Sequence, residues 1–164
     1  LYLERTNVVN YVNTNETNSE NFKKNPWLLN LKSLNKLDKR IVVTASFLGA
    51  LTIAIGAFGA HGLKQLVEAD VITSFETGVR YQMFHLIVLL IIGFSVPISA
   101  TTKKWVFWFF IGGIILFSGS IYIMVLKEIL PFDVKFLGPV TPLGGLSFII
   151  GWLRLGYGLL KLKS

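Results

Sequence analysis

The sequence predicts an all-α polytopic membrane protein: four transmembrane helices, with a short interfacial amphipathic helix between the first and second. Three observations carry that reading. Of the 164 residues, 52% are hydrophobic and only 15% charged, against about 25% charge in a soluble domain. The deficit is local, because residues 41–60, 83–99, 105–126 and 143–160 hold a single charged side chain, Arg154. Each run meets or approaches the roughly 20 apolar residues that cross a hydrocarbon core, the second one if it starts near Arg80.

Other totals exclude function classes. The length suits one domain. With no cysteine, disulfides, thiolate metal sites and cysteine nucleophiles are ruled out. The net charge of +7 does not point to nucleic acid, since the lysines and arginines flank the apolar runs as topology signals do.

Residues 1–36 form an Asn-rich tail, expected to be disordered because it buries too little apolar surface to offset its ordering entropy. Residues 37–164 form the transmembrane domain, with spans expected at about 41–61, 80–99, 104–126 and 141–161. Lys36, Lys39 and Arg40 precede Ile41. A positive cluster before an apolar run also describes a secretory signal, but Ile41 to Ala60 outruns the usual h-region of about 7–15 residues, and three further spans follow. A retained first helix is therefore expected.

Within that helix Ala45, Gly49, Thr52, Gly56 and Gly59 recur at intervals of three or four, a pattern that lets helix backbones approach closely in lipid. The helix closes on Gly56-Ala57-Phe58-Gly59-Ala60-His61-Gly62. Leu63, Val67, Val71 and Phe75 then fall four apart among polar residues. This predicts an amphipathic helix over 63–77 lying along the membrane surface, with Gly78 allowing a turn into the second span.

In the second span Gly78, Gln82, His85 and Leu89 share a face, and the span ends near Pro97. A short turn at 99–102 leads to Lys103-Lys104, and Trp105 and Trp108 suit a membrane interface. The third span carries Gly112, Gly113, Ser118, Gly119, Ser120 and Tyr122, and Pro131 breaks the loop after it. Pro139 and Pro142 open the fourth, where their missing donors are harmless. Gly144, Ser147, Gly151, Arg154 and Gly158 make a stripe along it. The glycines expected to pack helices are Gly49, Gly56, Gly59, Gly112, Gly119, Gly144 and Gly151. Arg154 is expected to snorkel toward headgroups or stack on Trp105 or Trp108. Twelve of the sixteen Lys and Arg lie on the tail side, which predicts cytoplasmic N- and C-termini.

Four stretches in this order resemble the small membrane family called domain of unknown function 423, which includes vertebrate transmembrane protein 256. They are Gly56 to Leu63; Phe75-Glu76-Thr77-Gly78 with Tyr81-Gln82 and His85; Phe117 to Tyr122; and Gly138 to Gly145. The resemblance covers about residues 37–160 and implies a four-helix integral membrane protein without supplying a reaction. The Asn-rich tail and Arg154 depart from it.

On the expected topology His61, Tyr81, Gln82, His85, Ser118, Ser120, Tyr122 and Thr141 fall in the non-cytoplasmic halves of their helices. Polar groups at that depth need partners or water. One reading is an outward-facing pocket for a ligand or ion. The other, favoured here, is a hydrogen-bond cluster knitting helix ends together. The spacing of His61 and His85 matches no metal motif, no carboxylate lies in a span to orient a histidine, and no cofactor is expected. The sequence therefore points to a non-enzymatic protein of a cell (cytoplasmic) membrane, a structural or accessory interaction component. A small transporter or channel-like oligomer is the alternative. Expected partners are the lipid bilayer and either a second copy or another membrane protein.

Overall fold

The structure, a computed structural model, describes residues 34–95, 97–127, 134 and 137–162. The chain divides into two units, Leu1–Asn35 and Lys36–Ser164. The expected Asn-rich tail lies outside the described residues, apart from its last three. The second unit contains four helices long and apolar enough to cross a membrane. They are α1 (Lys36–His61), α2 (Ala69–Phe94), α3 (Ala100–Leu126) and α4 (Val140–Leu160). At about 1.5 Å per residue they run about 31 to 40 Å.

The described residues contain no separate helix over 63–77, which corrects the sequence expectation. Leu63–Gln65 forms one 3₁₀ turn, and Ala69 already begins α2. Glu68 is extended at the N-cap (φ −69°, ψ 159°), and its carbonyl accepts from the Val71 and Ile72 N–H groups at 3.1 and 3.2 Å. Asp70 in the first turn complements the helix dipole. Gly78 makes no turn: it is helical and buried, and a Cβ there would come within 2.9 Å of the Tyr122 ring. A glycine inside a membrane helix here lets a neighbour approach.

The second and third helix boundaries also move. α2 stops at Phe94, with Ser95 extended (ψ 125°). Pro97 could not extend that helix, because its ring meets the carbonyl four residues back. Ser99, expected inside a span end, is the N-cap of α3, its hydroxyl oxygen accepting from the Thr102 N–H at 3.3 Å. Midway along α3, Ile114–Gly119 winds as a π-helix.

Two antiparallel hairpins make up the bundle, and the most extensive helix contacts lie within them. Along α1 and α2, Gly59 meets Phe75, Gly56 meets Val79, Thr52 meets Gln82, and Val42 meets Gly93. Along α3 and α4, Gly158 meets Thr102, Gly151 meets Phe110, Phe148 meets Gly113, and Thr141 meets Ser120. Two buried apolar cores result. The larger gathers Ile41, Ala45, Leu86, Leu89, Phe110 and Phe148 toward the end where α1 and α3 begin, and the smaller gathers Leu63, Ile72, Phe75, Ile121 and Val125 toward the other. Outward side chains stay apolar, among them Phe47 (76% exposed), Leu153 (69%) and Leu160 (85%). Such a surface is unfavourable in water and suits lipid.

Candidate functional site

Between the two cores lies a layer of polar side chains, with Gln82 of α2 at its centre. Gln82 is 3% exposed. Its amide Nε2 donates to Thr52 Oγ1 on α1 at 2.7 Å, and its Oε1 accepts from the Tyr122 hydroxyl on α3 at 3.1 Å. Thr52 passes its own proton to the Leu48 carbonyl at 2.6 Å. One amide thus joins three helices. The Ser118 hydroxyl donates to the Gly78 carbonyl at 2.8 Å, linking the π segment to α2. Ser120 Oγ and Thr141 Oγ1 lie 2.7 Å apart between α3 and α4, and Ser147 on α4 donates to the Phe109 carbonyl at 2.7 Å.

His85 sits just beyond this layer, against the larger core. Its ring stacks on Phe148 (centroids 3.6 Å, 13°) and meets the edge of Phe110 (4.8 Å, 83°). Nδ1 is 2.7 Å from the Tyr81 carbonyl, and Nε2 accepts from the Trp152 indole at 3.2 Å. An indole N–H can only donate, so Nε2 is the acceptor and the Nδ1 proton goes to Tyr81. Both ring nitrogens are occupied, and neither can ligate a metal without breaking a helix contact.

Two members of the expected cluster are placed elsewhere. His61 is exposed at the end of α1. It lies nine residues past Thr52, about 13 Å along the axis, and so misses the level of Gln82 and His85. The Tyr81 ring is 42% exposed and packs on Phe117 at 4.8 Å; what it brings to the layer is its carbonyl.

The packing glycines also divide. A Cβ on Gly144 would overlap the backbone of Phe117, and one on Gly151 would come within 2.6 Å of Phe110. Gly59 is closed off by Phe75 at 2.5 Å. Gly56 and Gly112 make ordinary contacts at 3.4 and 3.5 Å, and Gly119 touches only the Ile114 carbonyl of its own helix at 3.8 Å. Gly49 has nothing within 4 Å, so its expected packing role is corrected. Gly78, Gly93, Gly113 and Gly158 have close neighbours instead.

Three features escaped the sequence. Thr52 reads as a small packing residue and Trp152 belongs to none of the sequence motifs, yet each holds a hydrogen bond between helices. Lys103 reads as a flanking charge. It is buried instead, and its ammonium donates to Asp38 Oδ1 at 2.8 Å, joining the first turns of α1 and α3. Arg154 does not stack on Trp105 or Trp108. It lies over Tyr157 of its own helix at 5.9 Å, and Arg40 takes Trp108 at 5.8 Å.

Among the described residues every buried side-chain nitrogen and oxygen has a partner, and no three His, Asp or Glu side chains converge. Two surface hollows, about 400 and 490 Å³, are lined by Val71, Ser74, Thr77 and Met124 and by Gln65, Leu66 and Glu68, among others. No residue of the polar layer lines either.

Four apolar helices tied by internal polar contacts, with an apolar exterior, define a multi-pass integral membrane protein. The chain belongs to the family described as "Protein of unknown function (DUF423)", which matches residues 55–145. It is 39% identical over 117 residues to a UPF0382 membrane protein of Staphylococcus aureus, covering 71% of this chain and 92% of that one. The UPF0382 membrane protein YwdK of Bacillus subtilis is 35% identical over 122 residues (71% and 93%). The UPF0382 inner membrane protein YgdD of Escherichia coli is 35% identical over 126 residues (75% and 91%). No solved structure matches.

Proposed function

We propose that this protein is a non-enzymatic structural or accessory component of a cell membrane, working through its helix exterior, with both termini cytoplasmic. One observation supports this above others: the polar side chains that could have lined a ligand pocket or ion path are bonded to one another between helices. Pairs of this kind satisfy polar groups in lipid and fix helix register. What remains for recognition is the outer surface, above all α1, which buries the least of the four helices. The partner is a second copy or another membrane protein. The test places photo-crosslinking side chains at the outward α1 positions Phe47 and Ile53 in cells. A single protein adduct of defined mass, retained at near-equal amount through purification, is expected. Adducts with lipid alone would count against the reading. So would an ion conductance in planar bilayers that Gln82→Leu abolishes, which would favour a channel.

A further inference from the structure

A cationic and aromatic patch on α4 takes no part in the polar layer. Arg154 and Lys161 stand three residues before and four after Tyr157, so the three share one helix face. The Arg154 guanidinium carbon lies 5.9 Å, and the Lys161 ammonium 4.5 Å, from the Tyr157 ring centroid. Two like charges thus converge on one ring that is 54% exposed. Among the described residues Asp38 is the sole carboxylate at this end of the bundle, and the Lys103 ammonium pairs with it. Among the described residues the opposite end carries Lys64, Arg80 and Lys127 together with Glu68, Asp70 and Glu76. The two cations on Tyr157 therefore have no protein anion among the described residues.

Depth points to the missing anion. Gly158 packs on Thr102, whose N–H is capped by Ser99 where α3 begins. Arg154 lies one turn further in, about 6 Å, so its stem delivers the guanidinium to the level of the helix ends. Below the patch the same α4 face continues as Leu153, Ile150 and Leu146, all exposed and apolar.

We infer that Arg154, Tyr157 and Lys161 form a docking surface for an anionic glycerophospholipid. The phosphate sits between guanidinium and ammonium, and the acyl chains run along Leu153 and Ile150. The guanidinium fork matches phosphate oxygens, and the charge relieves the repulsion between the two cations. A free phosphate has the charge but nothing for the apolar face below.

Native mass spectrometry of the full chain, equilibrated in micelles with phosphatidylglycerol or phosphatidylcholine, tests this. The wild type is expected to retain phosphatidylglycerol in preference, by about fivefold for each basic residue engaged. Arg154→Gln combined with Lys161→Gln removes the preference. Lys161→Gln alone sits on an exposed last turn, so it stays informative if the arginine variant fails to fold; it loses about fivefold. Excess inorganic phosphate leaves the lipid bound. Equal retention of the two lipids by the wild type would overturn the inference. So would unchanged preference in Lys161→Gln, displacement by inorganic phosphate, or an equal loss in Lys39→Gln with Lys104→Gln, which reports a diffuse field.

Discussion

Replacing Lys103 with methionine takes the ammonium away from a buried Asp38 carboxylate. The two side chains are only 4% and 12% exposed, and the pair closes at 2.8 Å. At an effective dielectric near 20 the attraction is about 6 kcal/mol, from which desolvation of both ions subtracts several. Losing one partner removes the attraction but leaves the other charge buried, so Lys103→Met and Asp38→Leu should each cost about 3–5 kcal/mol. With both substitutions no charge is stranded, and the double variant should fall within about 1 kcal/mol of wild type. Equilibrium unfolding of the full chain in mixed micelles, followed by circular dichroism as the denaturing detergent is raised, measures all four corners of the cycle. Single costs below about 1 kcal/mol, or a double cost equal to their sum, would refute a buried, coupled pair.

The same assay checks the packing and the polar layer. Gly144→Ala drives a methyl into the Phe117 backbone and should destabilise by about 1–3 kcal/mol. Gly49→Ala and Gly156→Ala, with nothing within 4 Å, should be neutral or stabilise by up to about 1 kcal/mol through helix propensity. Gln82→Leu deprives Thr52 and Tyr122 of a shared partner and should cost about 1–3 kcal/mol, with most of any Tyr122→Phe cost vanishing in that background. Nitrogen NMR of labelled His85 should show the proton on Nδ1 in the wild type. Trp152→Phe should shift the Nε2 signal, because that nitrogen loses its donor.

Hydropathy made the four helices legible, since each must supply its own unbroken apolar length. Their ends depend on local signals, and at two positions the structure differs from the sequence expectation. Gly78 read as a turn because glycine breaks helices in water, although Val71, Phe75, Gly78, Gln82, His85 and Leu89 already formed one continuous helical stripe. Ser99 read as the end of one span although a serine at that point caps the next helix. Polar residue types single out Gln82, Ser118, Ser120, Tyr122 and Thr141, which hydrogen-bond between helices; at membrane depth few alternatives to mutual pairing exist. Depth itself was not legible: His61 and His85 shared a half-membrane on paper but are separated along the bundle by the α1–α2 register. The Lys103–Asp38 pair spans 65 positions, a separation no local pattern reveals. Trp152 belongs to no sequence motif, and only the position of His85 shows what its N–H is for.

The arrangement in two hairpins also has a temporal consequence. Helices α1 and α2 meet through contacts that close over the connection at 62–68, from Gly59 against Phe75 to Val42 against Gly93, and α3 and α4 also pair along their length. Each half can therefore pair as soon as it has entered the bilayer, while the ties between halves, Gln82 to Tyr122, Ser118 to Gly78, His85 to Trp152 and Asp38 to Lys103, must wait for the second half. Until then the first half carries an amide, an imidazole and a carboxylate that have not met their cross-bundle partners, each costly in lipid. The contacts between the halves can thus close only when all four helices are in the bilayer, and the first half taken alone presents a polar inner face to lipid.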